Sequence, residues 1–243
     1  MHHQNQYIPL LITSAIYADA PNTKLNDSNE RLTYTLAAIR NWLSLGTFSH
    51  IVVCDGSDFD LTNYLQKLKE EVNTDVKLEA LHFQNDTSTV KRLGKGFGEG
   101  QIVAHALKHS SILAAATSFA KCTSKLYVSN AFACLKHYNG TAALNLSGGI
   151  IPNNVDTRFY ICSKYFYFRF LQNCHLNVDE SHGIYLEHRF FDAINSLPLF
   201  RKTIKPTPMI FGVSGSMGRP HKASKFNALI KDARNFAFCL IGR

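Results

Sequence analysis

The chain has 243 residues, of which 45% are hydrophobic and 18% charged, an ordinary balance for a folded soluble protein. No apolar run reaches the roughly 18 residues that a membrane span needs, and the N-terminus lacks the basic region and cleavage site of a signal peptide. Six scattered cysteines without a CxxC pair favour buried thiols in a reducing compartment over disulfides or a zinc site, so a cytoplasmic location is expected.

The formal net charge of +8 is the most unusual property of the composition. Nucleic acid, an anionic membrane surface or a phosphate-bearing substrate would each favour such a charge. The basic residues form no block of five or six, although they become denser towards the end of the chain. A diffuse excess of this kind is also common where it only maintains solubility.

Apolar periodicity predicts an alternation of strands and helices over the first 85 residues. The helix at 28–45 has Asp27 or Ser28 as its N-cap, and Gly46 ends it. A β-α-β-α-β order with short connections is typical of a doubly wound parallel sheet flanked by helices. The predicted elements are a strand within 7–18, a helix at 28–45, a strand from 51, a helix at 61–72 and a strand at 76–83.

The second strand ends in the sequence Asp55-Gly56-Ser57-Asp58. Its apolar residues do not alternate with polar ones, which suits a strand buried on both faces. Ligands of open α/β sheets bind beyond the carboxyl ends of the strands, so both acids are candidate ligand contacts. The alternative is a simple turn, because these residue types favour turns.

A glycine-rich segment follows at 94–100 and includes Lys95. Its spacing does not satisfy GxGxxG, and no Gly-Lys-Ser/Thr is present, so neither a dinucleotide fingerprint nor a P-loop is indicated. At the start of a helix, such a segment would let backbone amides approach an anion. A flexible surface loop is the alternative.

The second half of the chain contains further strands and helices without a repeat or a linker. One domain is therefore predicted for residues 1–243, with two halves at 7–130 and 131–221 and a basic C-terminal helix at 222–243. The predicted helices are at 102–109, 112–119 and within 179–195, and the predicted strands are at 121–128, 141–146 and 159–163, with a loop at 147–156 between the last two.

The segment 51–58 resembles the "VVDDGSxD" strand end of GT-A-fold nucleotide-sugar glycosyltransferases. Residues 119–127 are similar to the "F-x-K-x-(T/S)-G-(R/K)-Y" stretch of bacterial polysaccharide glycosyltransferases, and Tyr185 to His188 resembles the family's catalytic "ED" position. The resemblance covers roughly residues 8–218. It implies an α/β GT-A-like (Rossmann-like) fold with a mostly parallel central sheet and the transfer of a sugar from a nucleotide-sugar donor to a glycan or glycolipid hydroxyl. The donor-binding residues that it implies are Thr13, Arg31, Asp55, Asp58, Lys95, Lys121 and Lys125.

The chain departs from this family at its metal-binding motif. No Asp-x-Asp occurs near residue 115, and the one such spelling, Asp58 to Asp60, follows a different strand. Without a metal, cationic side chains must neutralise the departing diphosphate. Lys121 and Lys125 lie where the acids would have been, so neither a metal nor another cofactor is expected.

Glu187 is the predicted general base, because an acid within an apolar stretch has a raised pKa. Its alternative role is to complement the dipole of its helix. The resemblance makes 7–130 the nucleotide-binding half and 131–221 the acceptor half. Sugar hydroxyls of the acceptor are expected to bind to Asp156, Arg158, His188, Ser214 and Ser216. The alternatives are that Arg158 only pairs with Asp156 and that the loop at 214–216 is a plain turn. The resemblance implies a function in the assembly of a surface polysaccharide, such as lipopolysaccharide, O-antigen or capsule.

A basic nucleic-acid-binding protein, or another non-catalytic α/β protein, is the alternative function. Its aromatic residues would be interleaved with Lys and Arg, whereas here they cluster in an apolar run at 160–170, so no nucleic-acid partner is expected. A methyltransferase would need a glycine-rich turn after the first strand, which is missing. The basic tail predicts a peripheral contact with an anionic membrane at the inner face of the cytoplasmic membrane, or else a packed terminal helix with a solvated basic face.

Overall fold

A central sheet organises the computed structural model, which describes residues 7–18, 23–198, 202–215 and 218–242, the last four without their side chains. Its six strands within these ranges have the order β3-β2-β1-β4-β7-β6, and β5, β8 and β9 form a small second sheet. The strands are β1 (Leu10–Ser14), β2 (His50–Asp55), β3 (Lys77–His82), β4 (Ser118–Thr123), β5 (Leu126–Val128), β6 (Ala142–Gly148), β7 (Pro152–Ser163), β8 (Ile210–Val213) and β9 (Pro220–Lys222).

Helices cover both faces of the central sheet. The apolar pattern of 160–171 continues from β7 into α7 and then into a π-helical turn at Tyr167–Leu171. The helices are α1 (Ser28–Leu45), α2 (Thr62–Val72), α3 (Thr87–Leu93), α4 (Lys95–His109), α5 (Ser111–Ala114), α6 (Ala131–Lys136), α7 (Lys164–Phe166), α8 (Leu186–Ile194) and α9 (Lys225–Gly242).

The first four strands in the chain run parallel, as the predicted α/β class requires. β1 pairs with β2 on one side and with β4 on the other, and β2 pairs with β3. β7 is antiparallel to both β4 and β6, so the second half of the sheet is mixed. The predicted mostly parallel sheet with flanking helices is confirmed, and its antiparallel strand, β7, lies in the second half of the chain.

The first helix begins and ends where its sequence signals predicted. The Asp27 carboxylate accepts a hydrogen bond from the Glu30 amide at 2.8 Å, which satisfies an N–H that has no partner within the helix. Gly46 follows Leu45 with φ +59°, a left-handed conformation that glycine adopts without strain.

The second strand is buried on both faces. Ile51 and Val53 pack in the same cluster as Trp42 of α1, whereas Val52 and Cys54 pack with Ile102 of α4. The absence of apolar-polar alternation in this strand therefore has the predicted cause. Five cysteines are buried free thiols, as predicted, and the side chain of the sixth, Cys239, is outside the described part.

Three predicted elements of the middle of the chain are wrong. The helix expected at 112–119 ends at Ala114, because Ser118 already begins β4, whose pairing with β1 overrides local helix propensity. The strand expected at 121–128 is broken at Lys125, which has φ +69° and directs β5 into the second sheet. The loop expected at 147–156 is mostly strand, since β7 begins at Pro152 and pairs with β6.

The glycine-rich segment is the start of a helix, not a loop. Helix α4 begins at Lys95, and Glu180 already accepts a hydrogen bond from the Gly96 amide at 2.9 Å. The Glu180 side chain therefore occupies the helix terminus at which the sequence predicts an anionic ligand. A Cβ on Gly100 would lie 2.2 Å from the Cβ of His175, so close packing against neighbouring elements explains the glycine there.

None of the helices in the described ranges combines the length and the apolar composition that crossing a membrane requires.

Replacing Gly100 tests this packing. Gly100→Ala should lower the free energy of unfolding by about 1–3 kcal/mol, because the overpacking cost exceeds the gain in helix propensity. Gly149→Ala is the matched control, since a Cβ there meets nothing within 4 Å. Urea unfolding of both variants measures the difference, and an unchanged or increased stability of Gly100→Ala would contradict the packing argument.

Candidate functional site

A cavity of about 360 Å³ opens at the carboxyl ends of the parallel strands. Its walls include Thr13 and Ser14 from the end of β1, Ser57 after β2, and Ser124 after β4. The chain moves from β1 to β2 on one side and returns to β4 on the other, so the strand order reverses at this position. Such a switch point is where open α/β sheets bind ligands, and the volume lies in the range of about 300–1,000 Å³ typical of small-molecule sites.

Three polar atoms of residues that line this cavity lack a hydrogen-bond partner within the described part of the chain. They are the hydroxyl oxygens of Thr13 and Ser14 and the amide oxygen Oδ1 of Asn85. Buried polar groups are nearly always hydrogen-bonded in folded proteins, and leaving one without a partner costs about 1–3 kcal/mol. All three atoms are buried, so the protein leaves polar groups without partners beside the cavity.

Two buried cations border the cavity. The Arg31 guanidinium donates to the carbonyl oxygens of Ala15 (Nε, 2.9 Å) and Leu25 (Nη1, 2.7 Å), and so holds the loop after β1 in place. Its Nη2 also donates to Ala15. Two of its five N–H groups are not used in these bonds, and its positive charge faces the cavity.

Lys125 is the second cation, and its ammonium group lies 2.9 Å from the Ser124 hydroxyl. Burial, followed by the charge of Arg31, lowers the pKa of Lys125 to about 7. An amine with this pKa is partly neutral in the empty site at neutral pH. An anion beside it would favour the charged form and raise the pKa again.

Glu187 lies on another wall of the cavity, in the first turn of α8. Burial raises its pKa above the usual value, as predicted, and the charges of Glu99 and Asp156 act in the same direction. Thr157 on β7 donates a hydrogen bond to its carboxylate at 3.2 Å. A carboxylate with a raised pKa is the type of group that can take a proton from an attacking hydroxyl.

Lys121 and Lys125 do not share a role, although the sequence placed them together. The Lys121 side chain is buried beneath the cavity, where it pairs with Glu99 and donates to the Thr157 carbonyl oxygen at 2.9 Å. It fixes Glu99, which does line the cavity, and has no direct access to a ligand.

Asp55 is fully buried and does not line the cavity. Its carboxylate accepts hydrogen bonds from the amides of Ile16 (3.0 Å), Ser57 (2.8 Å) and Phe59 (3.3 Å) and from the Ser57 hydroxyl (2.6 Å). The expected direct contact with the donor is therefore corrected to an indirect role. Asp55 joins the loops after β1 and β2 and so positions Ser57.

Two other predicted residues point away from the cavity. Asp58 has an exposed side chain that pairs with His82 at 2.8 Å. The His188 ring packs against Tyr185, and its Nδ1 lies 3.4 Å from the Tyr185 amide at the start of α8, so it serves its own helix. Neither is among the cavity-lining residues.

Asp156 and Arg158 form a second polar group on β7. Arg158 donates to both Asp156 carboxylate oxygens, from Nε at 2.7 Å and from Nη2 at 2.6 Å. Burial alone would raise the pKa of Asp156, but Arg158 holds it below the usual value. Arg158 Nη1 lies 3.2 Å from the His221 ring, and burial together with the Arg158 charge lowers the pKa of His221.

Arg158 and His221 separate the main cavity from a second cavity of about 200 Å³. The second cavity lies between β6, β7 and the start of α9, and it is lined by Asp156, Asn145 and Lys231. It is rich in groups that can bind hydroxyls.

The main cavity thus brings together residues that lie far apart in the sequence. It is lined by the predicted Thr13, Arg31, Lys95, Lys125, Arg158, Glu187 and Ser214. Ser216 lies outside the described residues. Sequence reasoning missed Asn85, Glu99, Ser124, Thr157 and His221. Asn85 could have been found, because it follows β3, whereas β9 brings in His221 without a local signal.

Within the described ranges, no group of three or more His, Cys, Asp or Glu side chains is arranged to hold a metal ion. That the reaction needs no metal stays a prediction from the sequence.

Comparison with known proteins finds likeness only in solved structures, since no family model and no curated protein matches the chain. The inositol-1-phosphate CTP transferase from T. maritima is 10% identical, with a TM-score of 0.45 over 98% of each chain. A nucleoside-diphosphate-sugar pyrophosphorylase from Vibrio cholerae is 8% identical, with a TM-score of 0.45 over 78% of this chain and 88% of that one. Mouse xyloside xylosyltransferase 1 is 10% identical, with a TM-score of 0.43 over 78% and 81%. Likeness this remote carries no argument about function.

Matched substitutions separate the structural acid from the exposed one. Asp55→Asn should lower the free energy of unfolding by about 2–4 kcal/mol, because an amide cannot replace the buried carboxylate as acceptor of four hydrogen bonds. Asp58→Asn should change it by no more than about 1 kcal/mol, since its ion pair is exposed. Urea unfolding measures both, and equal effects would contradict the assignment of Asp55 as the residue that joins the two loops.

Proposed function

We propose that the chain is a glycosyltransferase that moves a sugar from a nucleotide-sugar donor to a hydroxyl of a glycan or glycolipid acceptor. The observation that carries the proposal is the composition of the main cavity. At the switch point of a parallel sheet it combines the buried cations Arg31 and Lys125 with the carboxylate of Glu187, whose pKa burial raises. Anion binding and proton acceptance are the two properties that this transfer requires.

The donor diphosphate is assigned to the Arg31–Lys125 side of the cavity. Arg31 carries a positive charge there, and Lys125 becomes fully charged when an anion binds beside it. Electrostatic attraction to phosphate is strongest where the water content is low. The rest of the nucleotide is assigned to the part of the cavity that Thr13, Ser14 and Asn85 line. Lys95 lies at the exposed rim and can contact the phosphates from outside.

The transfer step needs one base and one stabilised leaving group. The acceptor hydroxyl oxygen forms a bond to the anomeric carbon while the bond between that carbon and the donor phosphate oxygen breaks. Glu187 takes the hydroxyl proton, and the nucleoside diphosphate leaves with the bonding electron pair. Lys125 and Arg31 stabilise the negative charge that develops on the leaving oxygen, so the step is proposed to proceed without a metal.

The acceptor is assigned to the second cavity, next to the Arg158–His221 wall. A hydroxyl of the acceptor sugar is proposed to reach Glu187 past the Arg158 side chain, which lines both cavities. Asp156 and Asn145 offer acceptor oxygens for the remaining hydroxyls, and the Asn145 Oδ1 has no partner in the described part of the chain. Ser214 lines the main cavity.

A role in surface polysaccharide assembly is proposed from the sequence resemblance. A nucleic-acid-binding protein is the alternative, and the nucleotide experiment below distinguishes the two. The predicted contact with an anionic membrane depends on a different surface, helix α9, and is independent of this chemistry.

Removing the proposed base should abolish turnover while leaving the fold intact. Glu187→Gln is expected to reduce the rate of sugar transfer by about 10²–10⁴-fold, the usual contribution of a general base. Binding of the nucleotide should be preserved. Asp192→Asn is the control, because Asp192 is an exposed acid of the same helix. Near-normal transfer by Glu187→Gln would remove Glu187 from the mechanism.

Binding of a nucleoside diphosphate should depend on pH through Lys125. Its pKa of about 7 leaves the empty-site amine mostly neutral above pH 7, whereas the diphosphate binds the protonated form. Affinity should therefore rise as pH falls from 9 to 7, by up to about tenfold per pH unit. Thermal-shift titration with UDP, GDP, CDP and ADP in the presence of EDTA measures the dependence.

The Lys125→Met variant should lose both its affinity for the nucleoside diphosphate and the pH dependence of that affinity. The Lys67→Ala variant, changed at an exposed position on α2, should lose neither. A strict requirement for Mg²⁺ or Mn²⁺ would contradict the metal-free arrangement. The absence of stabilisation by any nucleotide would contradict the proposed function as a whole.

A further inference from the structure

Helix α9 is oriented opposite to what its amphipathic sequence would normally dictate, with its polar side chains against the protein. Asp232 accepts hydrogen bonds from the Thr207 amide at 2.9 Å and hydroxyl at 2.7 Å. Lys231 lines the second cavity, and Asn235 is buried. The expected packed helix with a solvated basic face is therefore not what the structure shows.

Five apolar side chains of α9 face outward instead, whereas Phe238 packs against the core. Phe226 is 70% exposed, Leu229 67% and Phe236 55%, and Ile230 and Ala233 are also exposed. These five residues, called the apolar stripe below, are spaced by three or four positions and so lie along one side of the helix. Exposed large apolar groups in a continuous row indicate an interaction surface.

A second element extends the apolar stripe. The turn between β6 and β7 presents Ile150, which is 91% exposed, and Ile151. Arg234 of α9 holds this turn by donating to the carbonyl oxygens of Gly148 at 3.1 Å and Gly149 at 3.0 Å. The turn and the helix are thereby joined into one surface, although more than 70 residues separate them in the chain.

The charges around this surface are positive. The Lys205 Nζ lies 5.7 Å from the centre of the Phe236 ring, and Lys225 is an exposed residue of α9 itself. Asp232, the one acid in the sequence of α9, is already bound to Thr207. The exposed basic residues are Lys205, Arg219, Lys222 and Lys225.

We propose that the apolar stripe and the 150–151 turn dock the protein on an anionic lipid bilayer. A helix of this kind lies in the membrane interface with its apolar side chains among the acyl chains, while neighbouring lysines and arginines contact anionic headgroups. A second copy of the chain is the less suitable occupant, because self-association would bring equal positive charges together on a protein of net charge +8. The bilayer supplies both the apolar interior and the negative charge.

Vesicle co-sedimentation tests the docking. The full chain should bind vesicles of equal parts phosphatidylcholine and phosphatidylglycerol at least tenfold more tightly than vesicles of phosphatidylcholine alone, and added salt should weaken the binding. Leu229→Ser/Ile230→Ser should reduce binding to the anionic vesicles at least tenfold. Tyr165→Ser/Leu176→Ser, at exposed apolar positions outside the surface, should bind as the unaltered chain does.

A fluorescence measurement keeps the test valid if the serine variant does not fold. Ile151→Trp should show a blue shift of its emission with anionic vesicles, and the single native tryptophan, Trp42, is fully buried and gives a constant background.

Failure of the chain to bind anionic vesicles, equal binding by the two double variants, or an unshifted emission would overturn the proposal. A dimer in sedimentation equilibrium that the Leu229→Ser/Ile230→Ser change abolishes would assign the surface to a second copy instead. None of these measurements depends on sugar transfer, so their outcome is independent of the proposed function.

Discussion

The buried carboxylate of Asp55 is the interaction on which the geometry of the main cavity depends. It accepts hydrogen bonds from the loops after β1 and β2, and so fixes two neighbouring strand ends with one side chain. Ser57, placed in this way, accepts a hydrogen bond from the Tyr17 amide at 3.0 Å, which continues the connection along the cavity wall. The acid at this strand end therefore organises the site without lining the cavity, whereas Thr13 and Ser14 of the neighbouring strand do line it.

The second constraint is the separation of two lysines that lie four residues apart. In a regular strand, Lys121 and Lys125 would point to the same face. The left-handed conformation of Lys125 ends that regularity, so Lys121 neutralises Glu99 below while Lys125 lies beside Arg31. Two cations that are close together and poorly hydrated repel each other, and this energetic cost makes the position favourable for an anion.

The sequence predicted those parts of the fold that depend on local or periodic signals. The caps of α1 and the burial of β2 follow from neighbouring residues, and both were predicted correctly. The helix predicted at 112–119 overlaps β4, because the strand state of β4 depends on pairing with β1, more than a hundred residues earlier. The same dependence on long-range contacts decides which residues of the cavity the sequence can predict. Glu187 was detectable as an acid among apolar residues, whereas Glu99 and His221 reach the cavity only through long-range packing that no local pattern encodes.

Helix α9 connects the two proposals in space, although each stands on separate evidence. Asn227 and Lys231 line the second cavity from one side of the helix, while Leu229 and Ile230 face outward from the other. The helix is thus the wall between the assigned acceptor cavity and the assigned membrane surface. An acceptor whose sugar is attached to a lipid would need its polar end within one helix diameter, about 10–12 Å, of the bilayer, and this arrangement provides that distance. Because the polar side of α9 is used to build the cavity, its apolar side is the one left exposed.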